Sequence, residues 1–212
     1  MSIYLLSDSY HEGVINLPQI KVTCKNVSLD LSSYDALIFS SKNGVKSMSQ
    51  INKNWKNIPS FAIGGPTADA IIKFGGRVEY IAKNSYGDDF AKELIPKLQR
   101  KKVLFVRAKK VLSKLENILR KSGIDLTSQI VYETTCRDKT DEKIEKNSIF
   151  IFTSPSTIEC FFKNYEWHDS YKAVCIGDIT AKAMPQGVSL FVSKSQTIAT
   201  CIELAKTLIK QN

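Results

Sequence analysis

The sequence predicts an α/β protein. It is expected to form two similar doubly wound parallel-sheet domains joined by a two-stranded β tether, with the N-terminal strand belonging to the C-terminal domain. Three observations carry this reading. Short apolar runs alternate with helical patterns along all 212 residues, as in parallel strands linked by crossover helices. The stretch Phe61-Ala62-Ile63-Gly64-Gly65-Pro66-Thr67-Ala68 reads as strand, sharp turn and helix. Val174-Cys175-Ile176-Gly177-Asp178-Ile179-Thr180-Ala181 repeats it 113 residues later (177 − 64 = 113). At the same offset, Ile38-Phe39-Ser40-Ser41-Lys42-Asn43-Gly44 is echoed by Ile151-Phe152-Thr153-Ser154-Pro155-Ser156-Thr157. Two motifs at one offset mark an internal duplication, and the period is too long for a solenoid.

The elements follow in order. Residues 3–6 are a short apolar run and so a buried strand, 8–18 a polar loop, and 20–29 an extended segment. Residues 36–39 form a strand and 43–51 a helix. Residues 61–63 form the next strand, and Thr67 is the expected N-cap of the helix after it. Gly75-Gly76 stops that helix, and 77–81 return as a strand. Residues 84–89 cap a helix with apolar positions Phe90, Leu94, Ile95 and Leu98, in which Pro96 introduces a kink. Residues 103–106 are a buried strand. Val111, Leu112, Leu115, Ile118 and Leu119 make one helical face, closed by Gly123. Residues 127–135 are extended, and 136–147 are a charged connection. The second unit runs strand 149–152, helix 156–163, strand 173–176, helix 180–184 and strand 188–192. A last amphipathic helix carries Ile198, Cys201, Ile202, Ala205, Leu208 and Ile209.

The second unit has no counterpart of strand 103–106, and strand 3–6 can fill that place. The chain is therefore expected to begin in one domain, build the whole of the other, and return. The expected terminal domain is 1–22 plus 137–212, the central domain 30–130, and the tether 23–29 with 131–136.

Composition limits the function. The formal charge of +9 favours anionic partners. No run of 18 apolar residues suggests a membrane span, and the first residues lack the pattern of a signal peptide. The five cysteines include no Cys-x-x-Cys pair. Cys160, Cys175 and Cys201 sit in apolar patterns and read as small buried hydrophobes, so a reduced, cytoplasmic protein is expected. His11 and His168 lie in polar stretches, and no His, Cys and carboxylate spacing suits a metal. Walker A, Gly-x-Gly-x-x-Gly and Gly-x-Ser-x-Gly motifs are absent. What remains is hydroxyls, backbone N–H groups and bases at strand ends, the edge where open α/β sheets bind ligands. That set suits a large anion held by many hydrogen bonds. A non-enzymatic bilobed binding protein for a polyanion shares these features. A nucleic-acid module lacks support, because no aromatic-basic interleaving accompanies the charge.

The ordered motifs Asp35…Ile38-Phe39-Ser40-Ser41…Val45, Ala62-Ile63-Gly64-x-x-Thr67-Ala68, Val103-Leu104-x-x-Arg107, Val131-Tyr132-Glu133-Thr134, Phe152-Thr153-Ser154-Pro155 and Ile176-Gly177-x-x-Thr180-Ala181 resemble the uroporphyrinogen-III synthase family over essentially the whole chain. The resemblance implies two α/β domains joined by a β-ladder. It implies hydroxymethylbilane, a linear tetrapyrrole with eight carboxylates, bound in the cleft between the domains. The implied reaction is cyclisation to uroporphyrinogen III with loss of water and inversion of the last pyrrole ring. No cofactor, nucleic acid or membrane is implied, and a monomer is expected. By motif, Ser41, Asn43, Gly64, Thr67 and Arg107 would bind substrate from the central domain. Ser154, Ser156, Gly177 and Thr180 would bind it from the terminal domain. Tyr132 matches the family's tether tyrosine and is the candidate general acid. One departure stands out: Ser7-Asp8 occupies the place where the family usually has arginine.

Overall fold

The computed structural model describes residues 1–210. The chain divides into two compact units, Met1–Lys21 with Thr135–Asn212, and Val22–Thr134. It passes from one to the other inside β3 (Ile20–Cys24) and returns inside β8 (Asp125–Cys136), and these two strands are neighbours in one sheet.

The second-named unit is built on the order β3-β8-β7-β4-β5-β6, with β4 Ala36–Phe39, β5 Ser60–Ala62, β6 Val78–Ile81 and β7 Lys102–Ala108. The strands from β8 to β6 run parallel. β4 and β5 are buried throughout, and β7 is buried from Val103 to Val106, because helices cover both faces of a doubly wound sheet. One face packs Ile38, Phe61, Val103 and Phe105 against Phe90, Leu94 and Leu98 of α3 (Gly87–Leu98) and against Leu115 and Leu119 of α4 (Leu115–Lys121). The other packs Leu37, Phe39, Leu104 and Val106 against Val45 and Met48 of α1 (Lys42–Ile51) and Ile71 of α2 (Gly65–Lys73).

The other unit repeats the plan in the order β11-β10-β9-β1-β2, all parallel, with β1 Ile3–Leu5, β2 Ile15–Asn16, β9 Ile149–Phe152, β10 Lys172–Cys175 and β11 Leu190–Val192. β1 takes the position that β7 holds in the first sheet, so the N-terminal strand does lie in the sheet of the C-terminal half. α5 (Pro155–Asn164) covers one face with an aromatic cluster of Tyr4, Phe150, Phe152, Phe161 and Tyr171. α7 (Ile198–Lys210) covers the other through Cys201, Ile202, Ala205 and Leu208. The duplication extends to register. Leu37 pairs with Ser60 and Phe39 with Ala62; 113 residues on, Phe150 pairs with Ala173 and Phe152 with Cys175.

Several sequence expectations are corrected. Thr67 does not cap α2. The helix begins at Gly65, its N-cap is Gly64, and Thr67 is the third helical residue. Pro66 tolerates the first turn, where its missing N–H has no intrahelical partner to lose. Pro96 lies within α3, which continues to Leu98. Val111 and Leu112 are not on α4, which starts at Leu115, and Leu112 is 67% exposed. The segment before α4 is held against the start of α3 instead: the Lys114 N–H donates to Asp88 at 2.7 Å. The loop over 8–18 contains β2, too short to show a period. Cys160 is buried, as its apolar pattern suggests, yet it forms a disulfide with Cys136 (Cα–Cα 5.1 Å), so the chain is not fully reduced. Its partner lies in a charged segment 24 residues away, a spacing that gave no signal. Cys24, Cys175 and Cys201 are free.

Of the strands in the β3–β6 sheet, only β3 and β8 reach beyond residues 22–134, and each only at one end. We therefore expect that segment alone to melt in one cooperative transition. A segment of residues 1–100 lacks β7 and β8 and is expected to stay unfolded. Circular dichroism melts of both check this; a cooperative melt of 1–100 would contradict it.

Candidate active site

In a parallel sheet every strand leaves at the same edge, and the sequence-predicted residues gather there within each unit. In the unit of residues 22–134, β4 ends at Phe39, and Ser41 follows in extended conformation as the N-cap of α1. Its hydroxyl accepts the Asn43 N–H at 3.1 Å. Ser41 and Asn43 are both half-buried. β5 ends at Ala62, and Gly64 opens α2. Its carbonyl accepts from Thr67 and Ala68 at 3.1 and 3.0 Å. A Cβ on Gly64 would lie 2.5 Å from the Ser85 hydroxyl, so Ser85 closes over this corner. Thr67 is 4% exposed, and among the described residues its hydroxyl has no hydrogen-bond partner. An unpaired hydroxyl beside the N–H groups of a helix start is a ready anion contact.

The other unit carries the same corners. Ser154 caps α5 and forms a capping box with Thr157, whose hydroxyl accepts the Ser154 N–H at 3.2 Å. Ser156 sits in the first turn and is half-buried. Gly177 opens α6 (Asp178–Ala181), and Thr180, again 4% exposed, again has no hydroxyl partner among the described residues. The equivalent of Thr67 is thus reproduced in position, burial and free hydroxyl. The Ser7-Asp8 corner is held differently: the Asn16 amide donates to the carbonyls of Ser7 and Ser9 at 2.7 and 2.9 Å.

Arg107, at the end of β7, is partly committed. It contacts Glu116 at 3.4 Å and donates to the carbonyls of Ala108 and Lys109, both at 3.2 Å. Three of its five N–H donors are used, and two remain for a ligand.

Tyr132 lies on β8 opposite Ala108, 6% exposed, within the cluster of Leu37, Phe39 and Val106. Burial pushes its phenol up from the ordinary value; a hydrogen bond with the Ser41 hydroxyl acts in the opposite direction and is the smaller effect. The group is therefore a protonated phenol at neutral pH, able to donate. Its neighbour Glu133 bonds Lys25 and, at 2.7 Å, Lys109, and these two ammonium groups hold its carboxyl at about 2. Sequence reasoning missed this triad. Glu133 stood inside a quoted motif, but Lys25 is 108 residues away in sequence and only the β3–β8 pairing brings it near. Among the described residues no three His, Cys, Asp or Glu side chains gather as a metal site. No helix among them is long and apolar enough to cross a membrane.

A two-unit α/β enzyme with a phenol and paired glycine corners at its strand ends is the class defined by these features. The family model described as uroporphyrinogen-III synthase HemD matches residues 12–203. The chain belongs to the uroporphyrinogen-III synthase family. It is 30% identical to a protein of Methanocaldococcus jannaschii provisionally named a uroporphyrinogen-III synthase, over 87% of this chain and 83% of that protein. The crystal structure of uroporphyrinogen-III synthetase from Helicobacter pylori 26695 superposes with a TM-score of 0.84 at 30% identity, covering 98% of this chain and 99% of that one. A mutant uroporphyrinogen III synthase from the extremely thermophilic bacterium Thermus thermophilus shares the fold at 15% identity, with a TM-score of 0.61 over 100% of this chain and 99% of that one. The family is one of lyases, and a purely binding role is not supported.

The Glu133 triad yields a pH prediction. A carboxyl whose folded pKa is depressed stabilises the fold above its unfolded value, and that contribution is lost as pH falls through the folded value. The melting-temperature gap between wild type and Glu133→Gln is therefore expected to be full above the ordinary carboxylate value of 4.5 and to close toward about 2. Added salt should narrow it. A gap that is flat across this window would contradict the pairing.

Proposed function

We propose that this chain converts hydroxymethylbilane into uroporphyrinogen III, with Tyr132 as the acid that assists departure of water. The observation that supports this most is the Tyr132 phenol: buried, kept protonated, and set on β8 opposite Ala108, the residue that follows Arg107 on β7. The pyrrole nitrogen lone pair expels the hydroxymethyl oxygen. As the C–O bond breaks, the oxygen takes the Tyr132 proton and leaves as water. The electrophilic methylene carbon then bonds to the already substituted α-carbon of the last ring. The bond from that carbon to its own methylene bridge breaks, and the freed methylene bonds to the ring's other α-carbon. That carbon loses a proton, which restores the phenol and leaves the last ring inverted. Atoms balance with no redox partner or cofactor.

The corners supply binding. Ser41, Asn43, Gly64 and Thr67 in one unit, and Ser154, Ser156, Gly177 and Thr180 in the other, present hydroxyls and helix-start N–H groups to the substrate's carboxylates. Arg107 contributes its two remaining donors. The +9 charge draws a polycarboxylate toward the protein as a whole. We read the chain as a monomer acting in the cytoplasm. Three of its five cysteines are free, and the Cys136–Cys160 pair is the feature at odds with a strongly reducing compartment.

Given freshly generated hydroxymethylbilane, the protein is expected to yield the type III isomer, and exhaustive chelation and desalting should leave turnover unchanged. Chromatography showing only the type I isomer, the spontaneous cyclisation product, would reject the assignment. Tyr132→Phe is expected to keep its melting temperature within a few degrees. A lost general acid costs about 10²–10⁴-fold, and because this hydroxyl is a labile leaving group the fall in kcat should lie at or below the low end, about 10- to 100-fold. Thr67→Val and Thr180→Val should act mainly on KM. Wild-type turnover by Tyr132→Phe in steady-state assays would move the acid role elsewhere.

A further inference from the structure

We infer that Lys109, at the exit of β7, is a further binding residue for a substrate carboxylate, and that Glu133 is the positioning residue that holds its ammonium group there. The role rests on the function proposed above, which supplies a substrate rich in carboxylates.

A bulge sets the arrangement up. β7 and β8 keep register from Lys102 opposite Asp125 to Arg107 opposite Ile130, and then Ala108 lies opposite Tyr132. Val131 is the extra residue. Successive residues of a strand normally face opposite ways. Val131 and Tyr132 nevertheless both pack among Leu37, Phe39 and Val106, on the α1–α2 side. Alternation resumes after them, so Glu133 turns to the α4 side of the sheet. Arg107 and Ser128 reach that side too, because both bond Glu116 of α4, at 3.4 and 2.9 Å. Without the extra residue Tyr132 would face α4, and Glu133 would enter the packed α1–α2 layer. Bulges re-aim side chains in this way beside active sites.

Two backbone bonds bring the lysines to Glu133. The Lys109 N–H donates to the Tyr132 carbonyl at 2.9 Å, and the Lys25 N–H donates to the Val131 carbonyl at 2.8 Å. Their ammonium groups then take one carboxylate oxygen each. Lys109 bonds Oε1 at 2.7 Å, and Lys25 bonds Oε2. Two ammonium groups on one carboxylate repel each other and leave one positive charge without a counterion. Glu116 is shared in the same way, between Arg107 and Arg120. Four cations thus meet two carboxylates around β7 and β8. An anionic ligand would complete the charge pattern.

Lys109 is the member placed to meet it. Its side chain is 61% exposed, against 38% for Lys25 and 23% for Glu133. Among the described residues it uses one of its three N–H donors, so two are left for a ligand. Its carbonyl accepts from Arg107 at 3.2 Å, which joins the two side chains that have donors to spare. A lysine head sits on a flexible stem. Glu133, fixed on a strand, orders that stem before any ligand arrives and so lowers the cost of binding.

Steady-state kinetics on the full chain test this, with each variant assayed below its melting temperature. Lys109→Gln is expected to raise KM about threefold to tenfold, the worth of one charge-assisted contact at a partly exposed site. Its kcat should stay within about twofold of wild type. Lys109→Arg, which keeps the charge, should recover most of the loss. Glu133→Gln separates positioning from bulk attraction. It adds one net positive charge, so KM would fall if charge alone drew the substrate. If Glu133 holds Lys109 in place, KM rises by about as much as in Lys109→Gln. The double variant should then bind no worse than Lys109→Gln, since both changes remove one contact. An unchanged KM in Lys109→Gln, a lowered KM in Glu133→Gln, or a loss of kcat at constant KM would each overturn the inference. Type III isomer from the wild type would leave the proposed function standing in all three cases. Type I isomer alone from the wild type would remove both.

Discussion

A parallel strand cannot turn back directly, and both sheets obey that constraint. Each strand must hand over to a crossover helix, so every strand-to-helix corner opens on the same edge of its sheet. That edge collects free helix-start N–H groups without further design. The sequence need only keep Cβ atoms and competing side chains out of the way. It does so with glycine at Gly64 and Gly177, both extended, both serving as N-caps without a side-chain hydrogen bond. Three residues into each turn it places a buried threonine whose hydroxyl has nothing else to bond among the described residues. The free N–H groups of these corners follow from topology first and residue choice second.

Duplication preserved this edge and let the two copies diverge away from it. The β4–β5 register recurs in β9–β10 without slippage, because a one-residue slip would turn each buried run toward the wrong helix layer. The cores differ freely. One unit gathers its aromatic side chains in a cluster around Phe150 and Phe161; the other divides them, with Phe61, Phe90 and Phe105 on one face of its sheet and the T-shaped pair of Phe39 and Trp55 on the other. The indole N–H of Trp55 is buried without a partner among the described residues, and nothing in the structure accounts for it. The corners diverge just as locally: Thr157 completes a capping box in one copy, and Gly44 leaves the matching serine without that partner in the other.

The sequence made the fold legible wherever the signal was a long apolar run or a repeat. β4, β5, β7, β9 and β10, the placement of β1 and the paired glycine corners could all be read from it. It failed where the signal was short or non-local. β2 has two residues and no period. Thr67 has a good capping side chain, but Pro66 admits a helix that starts earlier, and position within the turn outweighed propensity. Val111 and Leu112 match a helical face, yet an aspartate on α3 captures the Lys114 amide and delays the helix. The Cys136–Cys160 pair and the Lys25–Glu133–Lys109 triad both join residues whose proximity depends on tertiary structure, which single-chain periodicity does not encode. The candidate residues were legible as types and by their places at the strand ends; their hydrogen-bond states were not.

The central claim is that the strand-exit edges of both units bind the tetrapyrrole. Amide chemical shifts of the full chain, followed as uroporphyrinogen III is added without oxygen, test it most directly. The expected result is that Gly64, Thr67, Gly177 and Thr180 shift together with a single saturation curve. Asn147, Lys172 and Ser189, which line a depression at the opposite edge, should remain still. Shifts confined to that opposite edge, or to the corners of one unit alone, would contradict the claim.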